Sequence, residues 1–440
     1  MLIHNATLWD GTGSAPRRGT AMRAHEDRLT WVGPDARAPR PAAGEPVIDA
    51  AGRWVLPGLI DLHVHLTADP QQPEMLRYIL TTPIPEQTLL GALHARLMLE
   101  AGFTAARDVG GAGYGNVGLK RAIDAGWIPG PRLATAGWFL TVPGGHADMV
   151  LRPDVDVPAP HVISGPGEAR RAVREQVKRG ADWIKLLATG GVMTGGSALG
   201  TSLWEDDELR AAVGMARRLG RPVAAHCHGA AGIVAAAEAG VATVEHGTMG
   251  DGAAAEAMAR HGVVLVPTFC AAAGVVRQAK AGALPPAIAA QALAIEPAHA
   301  GAFRAAVEAG VKIACGTDTG VPGTAFGENA QELAHLVVHG LTPEQALLAA
   351  TRDAAAVLGW GDRLGTLQPD RLADFLLLDG DPLADVSCLA DRARLQLVVK
   401  GGQVAADRRP ERTANHNPTS APGRMPSPST WASPSPKAAG

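Results

Sequence analysis

His63 and His65 stand two residues apart at the end of an apolar run, Leu59-Ile60-Asp61-Leu62-His63-Val64-His65. In an extended strand that spacing points both imidazoles to one side, where they can grip one metal ion together. Alone, such a pair is as readily two ordinary strand histidines. Its weight comes from Lys185, His226, His246 and Asp318, each in or at the end of another short apolar run. The chemistry these types offer is metal binding: five runs supply six metal-competent groups to what reads as one shared site.

Such a site needs a scaffold that brings distant strand ends together. Helical stretches hand over to apolar, β-rich runs through a glycine at Gly102, Gly180, Gly220, Gly240, Gly262 and Gly310. Glycine suits the residue after a helix because it takes the left-handed conformation without a Cβ clash. The runs predict eight strands at 59–65, 103–109, 132–137, 183–189, 222–228, 243–247, 263–269 and 312–318. Helices with apolar spacing lie between them, for example Ala169, Ala172, Val173 and Val177. The pattern predicts an α/β fold, a closed (β/α)₈ TIM barrel whose strands present their ligands at the C-terminal mouth. A further helix outside the barrel begins at Thr342-Pro343-Glu344-Gln345, where Thr caps, Pro takes the first turn and Gln completes a capping box.

The rhythm stops before Pro57 and after about Leu364. Residues 1–56 and 365–407 carry short strands and are expected to form a small β-sandwich domain from both chain ends, with 57–364 as the catalytic barrel. Residues 408–440, rich in Pro and Ser, are expected to be a disordered tail.

Composition narrows the function. With 40 basic and 43 acidic residues the formal charge is −3, which gives no footprint for nucleic acid or an anionic membrane. The apolar runs fall short of the roughly 20 residues that span a bilayer. A small-molecule substrate fits better. Four separated cysteines, Cys227, Cys270, Cys315 and Cys388, show no zinc or disulfide spacing, and the first eleven residues read as a strand and turn in place of a signal peptide. A cytoplasmic protein is expected, with room for a homo-oligomer.

Taken together, the His-x-His pair, the lysine of the fourth strand, single histidines on the fifth and sixth and the aspartate of the eighth resemble the binuclear metal-dependent amidohydrolase superfamily. The segments Pro57-Gly58-Leu59-Ile60-Asp61-Leu62-His63-Val64-His65, Val244-Glu245-His246-Gly247, Gly316-Thr317-Asp318 and Leu372-Ala373-Asp374-Phe375 sharpen this. They are similar to the imidazolonepropionase-like and Xaa-Pro dipeptidase-like branch over roughly residues 1–404. The resemblance implies that His63, His65 and Asp318 hold one divalent metal ion and His226 and His246 a second. Lys185 would bridge them as a carbamate formed from carbon dioxide, because a lysine amine is not itself an anionic oxygen donor. Zinc suits these donors, and manganese, cobalt and iron are tolerated. Coordination lowers the pKa of water from 15.7 to about 7, and Asp318 would take the proton of the attacking water and pass it to the leaving nitrogen.

Imidazolonepropionase itself uses one metal and has no bridging lysine, so Lys185 argues against that activity and against a mononuclear deaminase. Hydrolysis of a peptide-type or N-acyl amino acid amide is the leading expectation, with a cyclic amide hydrolase or lactonase as the alternative. An inactive binding scaffold would have no need of Lys185 and Asp318. His146, after Val142-Pro143-Gly144-Gly145, and His228, two residues beyond His226, are expected to touch substrate. His94, His261, His335 and His339 read as helix residues away from the site, and Cys227 as a core residue turned toward the helices. Arg107 and Asp108 fit either a mouth contact or a structural ion pair.

Overall fold

The computed structural model describes residues 1–72, 74–148, 154, 161–193 and 198–409. Residues 1–408 form one unit. The Pro/Ser-rich tail, and the expectation of disorder there, lie beyond the described residues apart from Arg408 and Arg409.

The N-terminal residues form β1 (Leu2–Leu8), β2 (Arg17–His25), β3 (Arg28–Pro34), β4 (Val47–Asp49) and β5 (Trp54–Pro57). Next come the strands of the central region: β6 (Leu59–Val64), β7 (Phe103–Asp108), β8 (Arg132–Thr135), β9 (Ile184–Leu187), β10 (Val223–Gly229), β11 (Thr243–Met249) and β12 (Val264–Val266). The C-terminal part adds β13 (Phe375–Leu378), β14 (Leu395–Lys400) and β15 (Gln403–Asp407). Both chain ends meet in one mixed eight-stranded sheet, ordered β15-β14-β13-β5-β1-β2-β3 with β4 against β1.

Edge-to-edge pairing of β5 with β13 joins the two chain ends into this one sheet. Its faces divide by the two-residue period: Phe375, Leu377, Leu397 and Val399 pack with Ile3, Met22 and Leu29, while Leu376, Leu378 and Val398 join the core of the central region.

That central region is α/β with parallel sheets. One has three strands in the order β6-β7-β8, and the other four in the order β12-β11-β10-β9. The glycine reading is met physically: Gly102, Gly180, Gly220, Gly240, Gly262 and Gly310 all have positive φ, and Gly180, Gly240 and Gly262 close their helices in the left-handed conformation.

The expected eighth strand is the main departure. Residues 312–318 make one bridge, Ile313 to Leu265, so the ladders do not run on into a closed ring. Backbone bonds still stitch the segment to both neighbours: Ala314 N–H donates to the Leu265 carbonyl, Leu62 N–H to Cys315 and Asp318 N–H to His63. Two residues explain the missing ladder. Gly316 sits so close to β6 that a Cβ there would lie 2.9 Å from that of His63. Asp318, at φ +58°, leaves the extended conformation. At the other junction Leu140 accepts from Leu187 N–H and donates to the Lys185 carbonyl.

Candidate metal centre

The ligands expected from sequence converge at the C-terminal ends of these strands. His63 is the penultimate residue of β6 and His65 lies just beyond it; Lys185 is on β9, His226 and His228 on β10, and His246 on β11. Together with Asp318 and His146 they line one cleft of about 1080 Å³, counted out to its open mouth. Ring centroids are 5.0 Å apart for His63 and His246, 4.6 Å for His226 and His246, and 4.5 Å for the stacked His146 and His226. Asp318 Oδ1 lies 3.4 Å from His63 Nε2 and 3.3 Å from His65 Nε2. His63, His246 and Asp318 each offer a donor atom within 4.8 Å of the others, so the two expected ligand groups adjoin.

The ring nitrogens facing away from the cleft are held. His63 Nδ1 is 2.7 Å from Glu245 Oε2, His65 Nδ1 2.8 Å from the Gly110 carbonyl, His228 Nδ1 2.7 Å from Thr248 Oγ1 and His246 Nδ1 2.7 Å from Thr268 Oγ1. A bond at one nitrogen fixes the ring and commits the other nitrogen to the cleft. Glu245 is held in turn by Arg107, whose Nη2 donates to Oε1 at 2.8 Å, and by the Thr243 hydroxyl. Arg107 also donates to the Leu62 carbonyl and lies over the Trp183 ring at 4.4 Å.

Of the two readings left open for Arg107, the structure gives the ion pair: the guanidinium is fully buried between the sheets and does not line the cleft. Asp108 likewise binds the backbone, accepting from Leu66 N–H and Gly110 N–H, and the Asn116 amide. Cys227 points away from its histidine neighbours into the core, as alternation implies, with Sγ 3.8 Å from the Gly232 carbonyl.

Burial makes the cleft histidines ligand-competent. It pushes the imidazoles of His63 and His146 down to about 4 and of His228 to about 3, and it holds His226 and His246 well below the usual range, so each is neutral near pH 7. His65 is the exception: burial lowers it, but Asp318, Asp108 and the Gly110 carbonyl together raise it. Burial would raise Asp318, yet His63 and His65 keep it below the usual carboxylate range. The amine of Lys185, 2% exposed, is pushed down by burial to about 8.

Lys185 Nζ, His226 Nε2 and Asp318 Oδ1 are buried without a hydrogen-bond partner. Orphaned polar atoms are costly in a folded interior unless something binds them. Three in one histidine-lined cleft, backed by anchored imidazoles, fit divalent metal ions.

Several positioning residues escaped the sequence reading. Glu245 sits inside a quoted motif, but strict alternation would turn it, as the chain neighbour of His246, to the opposite side of the strand. His246 has φ +71°, which breaks the alternation and lets both reach the centre. Thr248 and Thr268 carry no local signal. Beyond the ligands, Ile79, Phe139, Val192, Met193, Val275 and Ile295 make the cleft wall apolar, and no arginine lines it among the described residues.

Comparison with known proteins agrees with this geometry. The model of the amidohydrolase family matches residues 54–405. The ochratoxinase of Aspergillus niger is 32% identical over 433 residues, covering 92% of this chain and 86% of that one. Its crystal structure has a TM-score of 0.80 at 29% identity, over 92% of this chain and 95% of that one. The crystal structure of a Xaa-Pro dipeptidase with methionine bound in its active site gives a TM-score of 0.85 at 33% identity, covering 92% of this chain and 98% of that one. The imidazolonepropionase of Acidiphilium cryptum is 28% identical over 424 residues, 89% of this chain and 95% of that one. With the family match running from β5 into β15, the chain belongs to the amidohydrolase family and is a hydrolase acting on carbon–nitrogen bonds.

Proposed function

We propose that the chain hydrolyses the amide bond of a small dipeptide-like or N-acyl amino acid substrate at a centre of two divalent metal ions, zinc foremost. His63, His65 and Asp318 would hold one ion and His226 and His246 the other, and Lys185, if carboxylated on Nζ, would supply an anionic oxygen donor shared by both. The two parallel sheets and residues 312–318 are read as one (β/α)₈ barrel spanning 57–364, with 1–56 and 365–407 as an appended domain, in a cytoplasmic protein. The observation that carries the reading is the buried, unpartnered amine of Lys185 among histidines whose other ring nitrogens are already held.

When bound, the ions supply Lewis acidity to the carbonyl oxygen and acidify water. The rest falls to side chains. Asp318, kept ionised at neutral pH by His63 and His65, takes a proton from the attacking water and returns it to the leaving nitrogen. Neutral His146 and His228 offer ring nitrogens to the polar end of the substrate. Since no arginine reaches the cleft among the described residues, carboxylate recognition falls to these histidines, and the apolar wall takes an uncharged, branched or aromatic group.

A metal-replete activity screen tests this. Dipeptides and N-acyl amino acids with bulky apolar groups are expected to turn over faster than small or charged analogues. Turnover confined to lactones or lactams would replace amide hydrolysis with the cyclic-substrate reading.

A further inference from the structure

The helix Phe269–Lys280 begins next to the metal centre on Thr268, a residue type that usually caps a helix with its own hydroxyl. Thr268 makes no such bond. Its Oγ1 lies 2.7 Å from His246 Nδ1, and its backbone is left-handed at φ +56°. The two leading N–H groups of the helix donate to Glu332, Phe269 N–H to Oε1 at 2.9 Å and Cys270 N–H to Oε2 at 2.7 Å. Glu332 is fully buried and reaches across from the helix Gln331–Val338.

Three residues earlier, Asn329 serves the other side of the centre. Its amide donates to Asp61 Oδ2 at 2.8 Å, and Asp61 accepts from the backbone and hydroxyl of Thr317, next to Asp318.

We infer that Asn329 and Glu332 are positioning residues that set the two sides of the metal centre from one short stretch of chain. Glu332 takes over the capping of the helix Phe269–Lys280 and thereby releases the Thr268 hydroxyl to orient His246. Asn329 fixes the turn that carries Asp318. The inference rests on His246 being a metal ligand, as proposed above.

The test is metal affinity by chelator competition, read beside the thermal midpoint, in Glu332→Ala, Glu332→Gln, Thr268→Val and the double variant Thr268→Val/Glu332→Ala. If Glu332 acts through Thr268, Glu332→Ala and Thr268→Val each weaken metal binding by roughly 10–100-fold, the usual range for partners of metal ligands. The double variant is then no weaker than Thr268→Val, and Glu332→Gln, which keeps one acceptor, recovers part of the affinity. Wild-type affinity in Thr268→Val, or losses that multiply in the double variant, would overturn the inference. Should Glu332→Ala not fold, Thr268→Val and Glu332→Gln decide on the same readout, with wild-type affinity in Thr268→Val again the overturning result. Asn329→Ala is expected to weaken metal binding over the same range, and wild-type affinity there would remove Asn329 from the inference. His246→Ala separates the two levels: unchanged metal binding in that variant removes the metal reading itself.

Discussion

Lys185, His226 and His246 stand on a continuous four-stranded ladder, whereas Asp318 lies outside any ladder and β6, which carries His63 and leads to His65, pairs with β7 on one side but meets the segment around Asp318 through a single bridge. The ladder half is placed by main-chain hydrogen bonds that nearly any sequence could make. The seam half is placed by particular side chains. Asp61 alone accepts from His63 N–H, Thr317 N–H, the Thr317 hydroxyl and the Asn329 amide. At this seam a buried polar network adds to the few backbone bonds of residues 312–318, and the seam should respond to mutation accordingly.

The largest expected effect lies on the ladder, where Lys185→Ala should lower turnover by about 10³-fold or more if the two ions act as a unit. Near-normal turnover would remove the lysine from the chemistry. At the seam, Asp61→Ala should leave several buried donors without an acceptor and reduce metal affinity or activity by roughly 10–100-fold. Its ladder counterpart, Thr248→Val, removes one hydroxyl behind His228 and should do less. Equal losses in the two variants, measured by kcat/KM and metal titration, would erase the contrast between the halves.

The two halves are tied by the buried pair of Arg107 on β7 and Glu245 on β11. Arg107→Met leaves the carboxylate without its counter-charge and should cost about 3–5 kcal/mol of stability, read as a lowered denaturation midpoint. A midpoint unchanged from wild type would mean that Glu245 is held well enough by His63 and Thr243.

Acid should weaken the metal-free protein. Burial holds His63 and His146 near 4 and His228 and His299 near 3, so below the ordinary value of about 6.5 the unfolded chain takes up protons that the folded one refuses. The stability these four histidines give is therefore lost as pH falls from about 6.5 toward 4, against smaller opposite contributions from His65, which is raised, and from the buried carboxyls of Asp61, raised to about 6, and Glu332, raised to about 8. A thermal midpoint of the apoprotein that is flat over that window would contradict this burial. The smallest expected effect is that of His228→Ala, which should raise KM by roughly tenfold, the loss of one substrate hydrogen bond, while metal content stays constant. A fall in bound metal would make His228 a ligand.

The expected ligands were legible because their signal is local: His63 and His65 obey the two-residue period, and the others lie in or at the ends of apolar runs. Legibility failed where the backbone departs from its period. His246 and Asp318 both have positive φ, so alternation misplaces Glu245 and turns an apolar run at 312–318 into an expected strand. It failed again where partners are remote, since Glu332 in Gln331-Glu332-Leu333 reads as an ordinary helix acid until the fold carries it to Phe269 N–H. The single mixed sheet was hidden for the same reason. The apolar run Phe375-Leu376-Leu377-Leu378 reads as a strand, but nothing local says that Leu378 pairs with Trp54.

The central claim is that Lys185 joins two metal ions in one centre. Its most direct test is elemental analysis of metal per chain in wild type and in Lys185→Ala, each prepared with and without bicarbonate. The expected result is close to two ions per wild-type chain, one or none in the variant, and partial recovery when bicarbonate or a short carboxylic acid supplies the missing oxygen pair. A variant that retains two ions per chain would contradict the account and leave Lys185 a buried amine with no part in holding the metals.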